Sequence, residues 1–523
     1  MDSLVIEYVG WMICVCGKHR DGARPVSTLG MPHSNNDYSR IHYLIIFATS
    51  NRTAMLSHNA LQYTLNHLLA VALPTEPALD CRVERADGGV KVRFAGGWSL
   101  RIALLGDDEV RALVAGEAAP VMLSTADGRE HIPLFRSASS SASAAPGVRL
   151  SPDGHELCVP YDLVTPSFLM LSRWEEYQES PRDQHNRFPY VSSIAARYGF
   201  IHLPLVDEYA MLLRNWVLEL VRPEITLRPR TPHTVPTHDI DHLCRFTGTM
   251  QACKSIFGRD LLINRSLDLV RNSWEEFRRW RENPQQDPYI LAIEELVNRA
   301  RSRGEKALFF LKAQTKGEYD CTYDVNDALV THIVKMIRDA GMEVGLHGSY
   351  RSYDSPEIYG AEKDRLEKVA GTAVRSGRQH FLRFNLLKNY VNAGYSSYSG
   401  QDSRQMMEMT HPSTLEVWQA VGLREDYTLG YAEQPGFRCG TCHPYPLYDL
   451  VNDTPTNILE HPLILMDGTL FDYLKLGLEE SGELITRLRN RCRAVEGDFV
   501  FLWHNHTVGR NYRGFYEMMD AII

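Results

Sequence analysis

The sequence is poor in the features that mark secreted, membrane-spanning and nucleic-acid-binding proteins. Ten cysteines are scattered among 523 residues, which is ordinary usage and excludes a dense disulfide framework. No apolar run approaches the roughly 20 residues that span a bilayer, and the start lacks the basic residues and long apolar core of a secretory signal. No basic run is interleaved with aromatic residues, and a net charge of -9 argues against a nucleic-acid surface. We therefore expect a cytoplasmic protein without a nucleic-acid partner.

The composition is that of a globular protein with more than one domain. The chain is 44% hydrophobic and 23% charged, which is the usual globular range. Its 523 residues exceed the length of one ordinary domain. Residues 1–40 include a polar stretch with glycine and proline that is typical of disorder. We divide the remainder into an N-terminal domain at 41–228 and a C-terminal domain at 229–523, and nothing in the sequence indicates an oligomeric state.

Residues 41–228 are predicted to form the smaller, α+β domain. The predicted elements, in order, are a buried strand at 41–48, a helix at 60–72, hairpins over 80–104, a Ser/Ala linker at 137–147, and helices at 164–177 and 206–221. No cluster of chemically active side chains precedes residue 228. We therefore expect this domain to have a structural or substrate-presenting role.

Residues 229–523 alternate between short apolar strands and amphipathic helices, which is typical of parallel βα units. The predicted strands after the first are at 307–313, 342–346, 378–384, 462–466 and 499–503, and the predicted helices are at 326–340, 356–370 and 470–495. In (β/α) barrels the chemistry lies at the carboxyl ends of the strands. Polar side chains at those positions are therefore the candidates for a functional site.

The stretch Val235–His242 (VPTHDIDH) places two carboxylates and two imidazoles within five positions. If it is a strand, Asp239 and Asp241 share one face, and His238 lies on the other. Two neighbouring carboxylates are unfavourable unless a cation or a shared proton separates their roles. One carboxylate holding a metal while the other acts as a base would meet that requirement. A solvated Asp/His turn is the alternative.

Further candidates follow three later strands. His347 stands before Gly348 and Ser349, Arg378 and His380 stand in one short segment, and His504 follows the last strand. The simpler alternatives are that His347 caps a turn and that Arg378 is an ordinary ion-pair partner. What favours a site is that the stretch Val235–His242, His347 and His504 all fall at predicted strand ends.

Taken in order, these motifs resemble those of the polysaccharide deacetylases, the metal-dependent carbohydrate esterases that remove N- or O-acetyl groups from glycans. The resemblance covers roughly residues 230–523. It implies a distorted (β/α) barrel of about seven strands rather than the closed eight-stranded form, preceded here by the smaller α+β domain. The implied roles are Asp239 as catalytic base, Asp241 and His347 as metal ligands, Arg378 orienting the base, Asp426 bracing the site, and His504 as general acid.

The chain departs from the family pattern at the third metal ligand. The family's second metal histidine would fall at Arg351, and a guanidinium has no lone pair with which to bind a cation. His380 replaces the proline of the third motif and would share a strand face with Arg378. We therefore predict Asp241, His347 and His380 as the metal ligands. Such a set suits Zn²⁺, with Co²⁺ and Ni²⁺ as alternatives.

Two further segments need an interpretation of their own. Cys439-Gly440-Thr441-Cys442-His443 matches the haem c attachment pattern, but attachment requires export, and the context of a thioredoxin-like dithiol is missing. We interpret it as a loop lining a glycan groove, with a haem site and a redox or structural dithiol as alternatives. The polar stretch at 385–410 is longer than the family pattern and is either a groove insertion or locally disordered.

The sequence thus predicts a hydrolase that acts on carbon–nitrogen (amide) bonds. Its expected substrate is an N- or O-acetylated sugar or glycan of surface-polysaccharide metabolism, from which it would remove acetyl groups. The alternative is a catalytically inactive carbohydrate-binding or assembly protein that retains the deacetylase-like barrel.

Overall fold

The computed structural model describes residues 56–124, 131–137, 147–177, 182–263, 265–314, 319–320, 323–386, 389–391 and 409–523. The predicted segment 1–40 and strand 41–48 lie outside the described residues, as do most of the linker at 137–147 and most of the stretch at 385–410. The domain boundary expected at residue 228 stays a prediction.

The first half of the described chain is built around a small, mostly antiparallel sheet. Its strands are β1 (Cys81–Ala86), β2 (Gly89–Phe94), β3 (Ser99–Ala103), β4 (Val121–Ser124), β5 (His131–Leu134), β6 (Arg149–Leu150) and β7 (Glu156–Val159). Five of them form a sheet in the order β1-β2-β3-β7-β6, and β4 pairs with β5. The helices are α1 (His58–Ala72), α2 (Asp107–Ala115), α3 (Val164–Leu171), α4 (Ile194–Arg197) and α5 (Leu205–Leu220). The hairpins predicted over 80–104 are present as β1 to β3.

Local sequence explains these elements. Ser57 begins α1, because its hydroxyl accepts a hydrogen bond from the Ala60 amide at 3.0 Å. Gly88, at φ +63°, makes the tight turn between β1 and β2. No helix in the described part of the chain is both long enough and apolar enough to cross a membrane.

The second half is organised on a nine-stranded sheet. Its strands are β8 (Thr234–Ile240), β9 (Leu308–Leu311), β10 (Glu343–Gly348), β11 (Ser376–Gln379), β14 (Glu425–Asp426), β15 (Tyr445–Asp449), β16 (Thr454–Glu460), β17 (Leu465–Met466) and β18 (Phe499–Leu502), while β12 (Asn389–Val391) pairs with β13 (Met409–His411). The helices are α6 (Thr249–Cys253), α7 (Leu267–Glu282), α8 (Pro288–Arg303), α9 (Ala328–Asp339), α10 (Pro356–Ala370), α11 (Thr414–Ala420), α12 (Leu478–Ala494) and α13 (Arg513–Ile522), with π-helical turns at Lys254–Ile263 and Thr469–Tyr473.

The sheet has the order β15-β16-β14-β11-β10-β9-β8-β18-β17. Every neighbouring pair is parallel except β15 with β16. The α/β class is therefore shown, but the pairings leave β15 and β17 at the two edges, so a closed barrel is not. Since the strands are parallel, the carboxyl ends of β8, β10, β11 and β18 meet at one edge of the sheet.

Several predicted elements are wrong in their bounds. The strand predicted at 378–384 ends at Gln379, because the chain turns sharply through Phe381 and Leu382 at φ +60° and +55°. The helix predicted at 470–495 begins only at Leu478, after a separate π-helical turn. The first error matters for the site, because it changes how His380 is positioned.

The Cys439–Cys442 segment does not line a groove, contrary to our interpretation. Both thiols are buried, and Cys442 donates its backbone amide to Asp207 of α5 at 2.8 Å. The neighbouring Arg438 binds the buried carboxylate of Glu176 at 2.7 Å. The segment therefore joins the nine-stranded sheet to the first half of the chain. Its role is structural, and its thiols are inert because they are withdrawn from water.

Candidate active site

The candidate catalytic and metal-binding residues meet at the carboxyl edge of the sheet. Asp239 is near the end of β8, His347 pairs in register with Arg378 across β10 and β11, and His504 follows β18. Asp239, His347, His380 and Arg378 are all buried. Residues more than 260 positions apart in the sequence are therefore held by neighbouring strands of one sheet.

Arg378 holds the Asp239 carboxylate in place. Its Nη1 donates to Asp239 Oδ1 at 3.0 Å and to Thr237 Oγ1 at 2.8 Å, while its Nε donates to the Tyr427 carbonyl at 2.9 Å. Burial would raise the pKa of Asp239, but His347 and the Arg378 guanidinium outweigh it and hold the pKa below its usual value. Asp239 is thus kept ionised while being withdrawn from water.

Asp241, His347 and His380 present one donor atom each within 4.8 Å of one another. Nε2 of His347 lies 3.4 Å from Asp241 Oδ1, and Nε2 of His380 lies 3.6 Å from the same oxygen. Nδ1 of His347 lies 3.0 Å from the Arg378 carbonyl, and Nδ1 of His380 lies 3.3 Å from the Asp320 carboxylate. Because both acceptors require a proton on Nδ1, each Nε2 has the lone pair that a cation would bind.

Lys312 directly follows β9 and places its own positive charge beside two of these three groups. Its Nζ lies 2.8 Å from Asp241 Oδ1 and 2.9 Å from His380 Nε2, and the side chain is buried. Burial would raise the pKa of Asp241, but Lys312 and His380 hold it well below its usual value. The three donor atoms of Asp241, His347 and His380 fit a divalent metal in number and chemical type. A metal ion could use all three donors only if the ammonium moved away.

His504 faces the same space from the other side. Its Nε2 lies 3.6 Å from Asp241 Oδ2, and its Nδ1 lies 2.7 Å from the buried carboxylate of Asp467. Burial would lower the pKa of His504, but the Asp467 charge overcomes it and raises the pKa to about 9. The imidazole is therefore protonated at neutral pH and can donate a proton from Nε2.

Asp426 does not contact Asp239 or the triad of Asp241, His347 and His380. Its Oδ1 accepts from Thr428 Oγ1 at 2.7 Å, and Thr428 Oγ1 in turn accepts the Gln379 amide at 3.0 Å. Burial raises the pKa of Asp426, and burial together with the Asp426 charge raises that of the buried Glu460 well above its usual value. The bracing role expected of Asp426 stays a prediction, while the adjacent Tyr427 carbonyl is the group that holds Arg378.

The other histidines near β8 lie outside the triad. Nδ1 of His238 lies 2.8 Å from the Trp503 carbonyl, on the opposite face of the strand as the alternation predicts. His506 packs its ring against His242 at 5.5 Å between centroids. Arg351 is exposed. None of these side chains is placed to replace His380 as a donor.

Comparisons with known proteins give only distant matches. A family described as "Family of unknown function (DUF7033)" matches residues 99–222, and no curated protein matches the chain. A Mycobacterium smegmatis structure named as a polysaccharide deacetylase is 15% identical over 57% of this chain and 87% of that one, with a TM-score of 0.31. A Pseudomonas aeruginosa PAO1 structure named as a polysaccharide deacetylase is 11% identical over 55% and 83%, with a TM-score of 0.30.

A third similar structure is a mutant of a CE4-family pseudoenzyme with restored enzymatic activity. It is 12% identical over 56% of this chain and 64% of that chain, with a TM-score of 0.25. TM-scores of 0.25 to 0.31 are too low to establish a shared fold. We therefore infer the function from the geometry of the site.

Sequence reasoning missed Lys312, Asp320 and Asp467. Lys312 ends an apolar strand, and Asp467 directly follows β17, so a search for every charged residue at a strand end would have found both. Asp320 gave no such signal, because it lies in a polar connection between β9 and α9.

The first half of the chain also reaches the rim of the site, which the sequence did not indicate. Nδ1 of His185 lies 3.1 Å from the Tyr350 hydroxyl, and Arg187 donates to the Phe381 carbonyl at 2.9 Å. Phe381 directly follows His380, so contacts from a segment more than 190 residues earlier support the turn that carries a candidate metal ligand.

Proposed function

We propose that this protein is a metal-dependent hydrolase that removes acetyl groups from an N- or O-acetylated sugar or glycan of surface-polysaccharide metabolism. The proposal rests on one observation, that three kinds of chemical group face the same space. These are an ionised carboxylate held by an arginine (Asp239), a protonated imidazole (His504) and a triad of donors suited to a divalent cation.

Amide hydrolysis needs a base for the attacking water and an acid for the leaving nitrogen. Asp239 Oδ2 lies 3.5 Å from His347 Nε2, so the base candidate adjoins the triad, and it would accept the proton of a water held there. His504 approaches Asp241 from the other side and would donate the proton that the departing amine requires. General acid and base groups are each typically worth about 10²- to 10⁴-fold in rate.

The triad is the proposed metal site. Two imidazoles and one carboxylate are a donor set that catalytic zinc uses, so Zn²⁺ is the proposed metal, with Co²⁺ and Ni²⁺ as alternatives. A divalent cation, when bound, supplies Lewis-acid polarisation of the substrate carbonyl. The chain's own contribution is to fix both imidazoles through their Nδ1 acceptors, the Arg378 carbonyl and Asp320.

Lys312 favours a second candidate function. A buried ammonium within 2.9 Å of two of the three donors can stand in for the charge of a metal ion. A protein that relies on it would keep the site's shape and lose turnover, as a carbohydrate-binding or assembly protein. The two candidates differ in whether the triad takes up a divalent ion at physiological concentrations.

Lys312→Met tests the competition directly. Removing a like charge about 4 Å from a cation is worth roughly 1 kcal/mol even at the dielectric constant of water and more in a buried site. We therefore expect Lys312→Met to bind Zn²⁺ at least about tenfold more tightly in calorimetric titrations. Lys335→Met, an exposed lysine of α9, is the control. Equal zinc affinity in Lys312→Met and wild type would show that the ammonium does not compete for the site.

The hydrolase proposal is tested by acetate release from a panel of acetylated sugars. Metal-loaded protein should release acetate from at least one of them, chelated protein should not, and Asp239→Asn should be inactive although it is loaded. Wild-type protein that binds a sugar of the panel and releases no acetate when loaded would support the second candidate instead.

A further inference from the structure

The connection from β8 to α8 forms a helical hairpin with an unusual surface. It comprises α6, the π-helical turn at Lys254–Ile263, and α7. We call it the hairpin, residues 243–287. Because it follows the carboxyl end of β8, it lies on the same edge of the sheet as the candidate active site. Asn505, next to His504, donates to the His242 carbonyl at 2.8 Å and so attaches the start of the hairpin to the site.

The hairpin has its own small core and its own internal charge pairing. Phe246, Ala252, Ile256 and Phe277 pack together as a separate buried cluster. The Arg245 guanidinium is 2.8 Å from Ser273 Oγ and pairs with the acidic groups Asp260 and Glu276. The hairpin thus has a core of its own, and the single charge of Arg245 balances one of the two carboxylate charges beside it.

Exposed apolar side chains are concentrated on this hairpin. Among the described residues, six of the fifteen exposed large hydrophobic side chains lie between positions 250 and 274. Leu262, Ile263 and Leu267, around the connection between the two helices, are 72%, 75% and 75% exposed. Trp274 lies further along α7 and lines an open cleft with Phe257 and Leu267. So many exposed apolar side chains in one short segment are uncommon unless something covers them.

The same surface is basic although the chain is acidic. Over residues 243–287 eight basic residues face six acidic ones, a surplus of two positive charges in a protein of net charge -9. The exposed side chains alone have a surplus of four, with seven basic and three acidic: Lys254, Arg259, Arg265, Arg271, Arg278, Arg279 and Arg281 against Asp268, Glu275 and Glu282. On α7 the order Leu267, Arg271, Trp274, Arg278 alternates apolar and basic residues at spacings of four, three and four, which places them on one stripe of the helix.

We propose that the hairpin docks the protein onto an anionic lipid bilayer, with Leu262, Ile263, Leu267 and Trp274 inserted among the acyl chains and the arginines against the phosphate headgroups. Aliphatic side chains at a protruding tip, a tryptophan beside them and arginines on the same stripe are the combination that an interfacial helix uses. Arginine can reach a headgroup while its stem remains on apolar surface. A protein partner would satisfy the apolar side chains equally well, but the net positive charge favours a surface that is uniformly negative.

The docking would place the active-site edge next to the membrane. Asn505, next to His504, binds the carbonyl of His242 at the start of the hairpin at 2.8 Å, so the hairpin and the site are neighbours. Membrane binding stands independently of the proposed hydrolysis, since neither observation on the hairpin uses the triad.

Vesicle co-sedimentation of the full chain tests the proposal. The protein should sediment with vesicles of phosphatidylcholine mixed with phosphatidylglycerol, bind pure phosphatidylcholine at least about tenfold more weakly, and lose binding as salt is raised. Leu262→Glu with Ile263→Glu should reduce binding to the mixed vesicles by about tenfold or more. Each of Arg271→Gln and Arg278→Gln should reduce it about fivefold.

The matched control is Val191→Glu with Val451→Glu, two exposed apolar residues at 74% and 55% exposure outside the hairpin. It should bind like wild type, and the melting temperature of each variant reports whether it is folded. Equal loss of binding in the control, or no difference between the two kinds of vesicle, would overturn the proposal. A second outcome would also overturn it. If wild type did not bind vesicles but formed a dimer in light scattering, and Leu262→Glu with Ile263→Glu dissociated that dimer, the surface would join two copies of the chain.

Discussion

At the scale of single residues, the site assigns different work to two carboxylates two positions apart. Asp239 is held by Arg378 at 3.0 Å, whereas Asp241 faces Lys312, His347 and His380. Asp239→Asn should therefore abolish turnover and retain metal, because an amide cannot accept the water's proton. Asp241→Asn should lose metal. Metal content and acetate release measured on both variants check this, and equal metal occupancy in the two would refute the division of labour.

His504 carries the second residue-scale prediction. Its pKa of about 9 keeps a proton on the ring at neutral pH, so it is suited to protonate a poor leaving group. His504→Gln should slow hydrolysis of an acetamide by about 10²-fold or more. An activated acetyl ester needs little protonation, so its hydrolysis should be slowed much less. If both substrates lost the same factor, His504 would not be the acid.

The sequence identified these residues because each follows a recognisable strand, and strand ends in parallel sheets converge. It could not supply their partners. Asp467 and Lys312 act through residues 37 and 68 or more positions away, on other strands, and no local pattern encodes such a contact. Their charges nevertheless decide the protonation of His504 and the freedom of the triad to bind a cation.

At the scale of elements, His380 reaches the triad for a different reason from the one predicted. The sequence suggested a strand on which Arg378 and His380 share a face. Instead β11 ends at Gln379, and a turn with positive φ at Phe381 and Leu382 presents the imidazole. Such φ values are unfavourable for these residue types and are held by distant contacts, which is why the sequence pattern could not reveal the turn. The helix α10, which has Ser355 as its N-cap and Pro356 as its first residue, was predicted at its observed bounds.

Arg187 supports that turn without being a metal ligand, so its substitution tests the role of the turn. It donates to the Phe381 carbonyl at 2.9 Å and is paired with Asp183 at 2.7 Å. Arg187→Ala should lower zinc affinity about tenfold, since outer groups that orient a ligand typically matter by 10- to 100-fold. Arg197→Ala, an exposed arginine of α4 that is remote in its contacts, is the control. Unchanged zinc affinity in Arg187→Ala would show that the turn holds itself.

At the scale of the whole molecule, buried neutral histidines should make stability fall in acid. Burial lowers the pKa of His238 to about 3, against a usual value near 6.5. Below pH 6.5 the unfolded chain takes up a proton that the folded state refuses, so the stability present above pH 6.5 is lost as the pH falls toward 3. One such group contributes a slope of up to about 1.4 kcal/mol per pH unit.

His238→Asn tests this contribution. An asparagine amide can still donate to the Trp503 carbonyl, as His238 Nδ1 does at 2.8 Å, but it does not titrate. The free energy of unfolding in urea, measured between pH 7.5 and 5, should fall less steeply in the variant than in wild type. Identical slopes would mean that His238 is not held neutral by the fold.

The central claim is that Asp241, His347 and His380 together hold a divalent metal in the space that Asp239 and His504 face. Anomalous diffraction at the zinc edge, from crystals grown with Zn²⁺, measures this most directly. We expect one strong peak in contact with Asp241, His347 Nε2 and His380 Nε2, with the Lys312 ammonium displaced from it. A site without anomalous signal, with Lys312 still between Asp241 and His380, would contradict the claim.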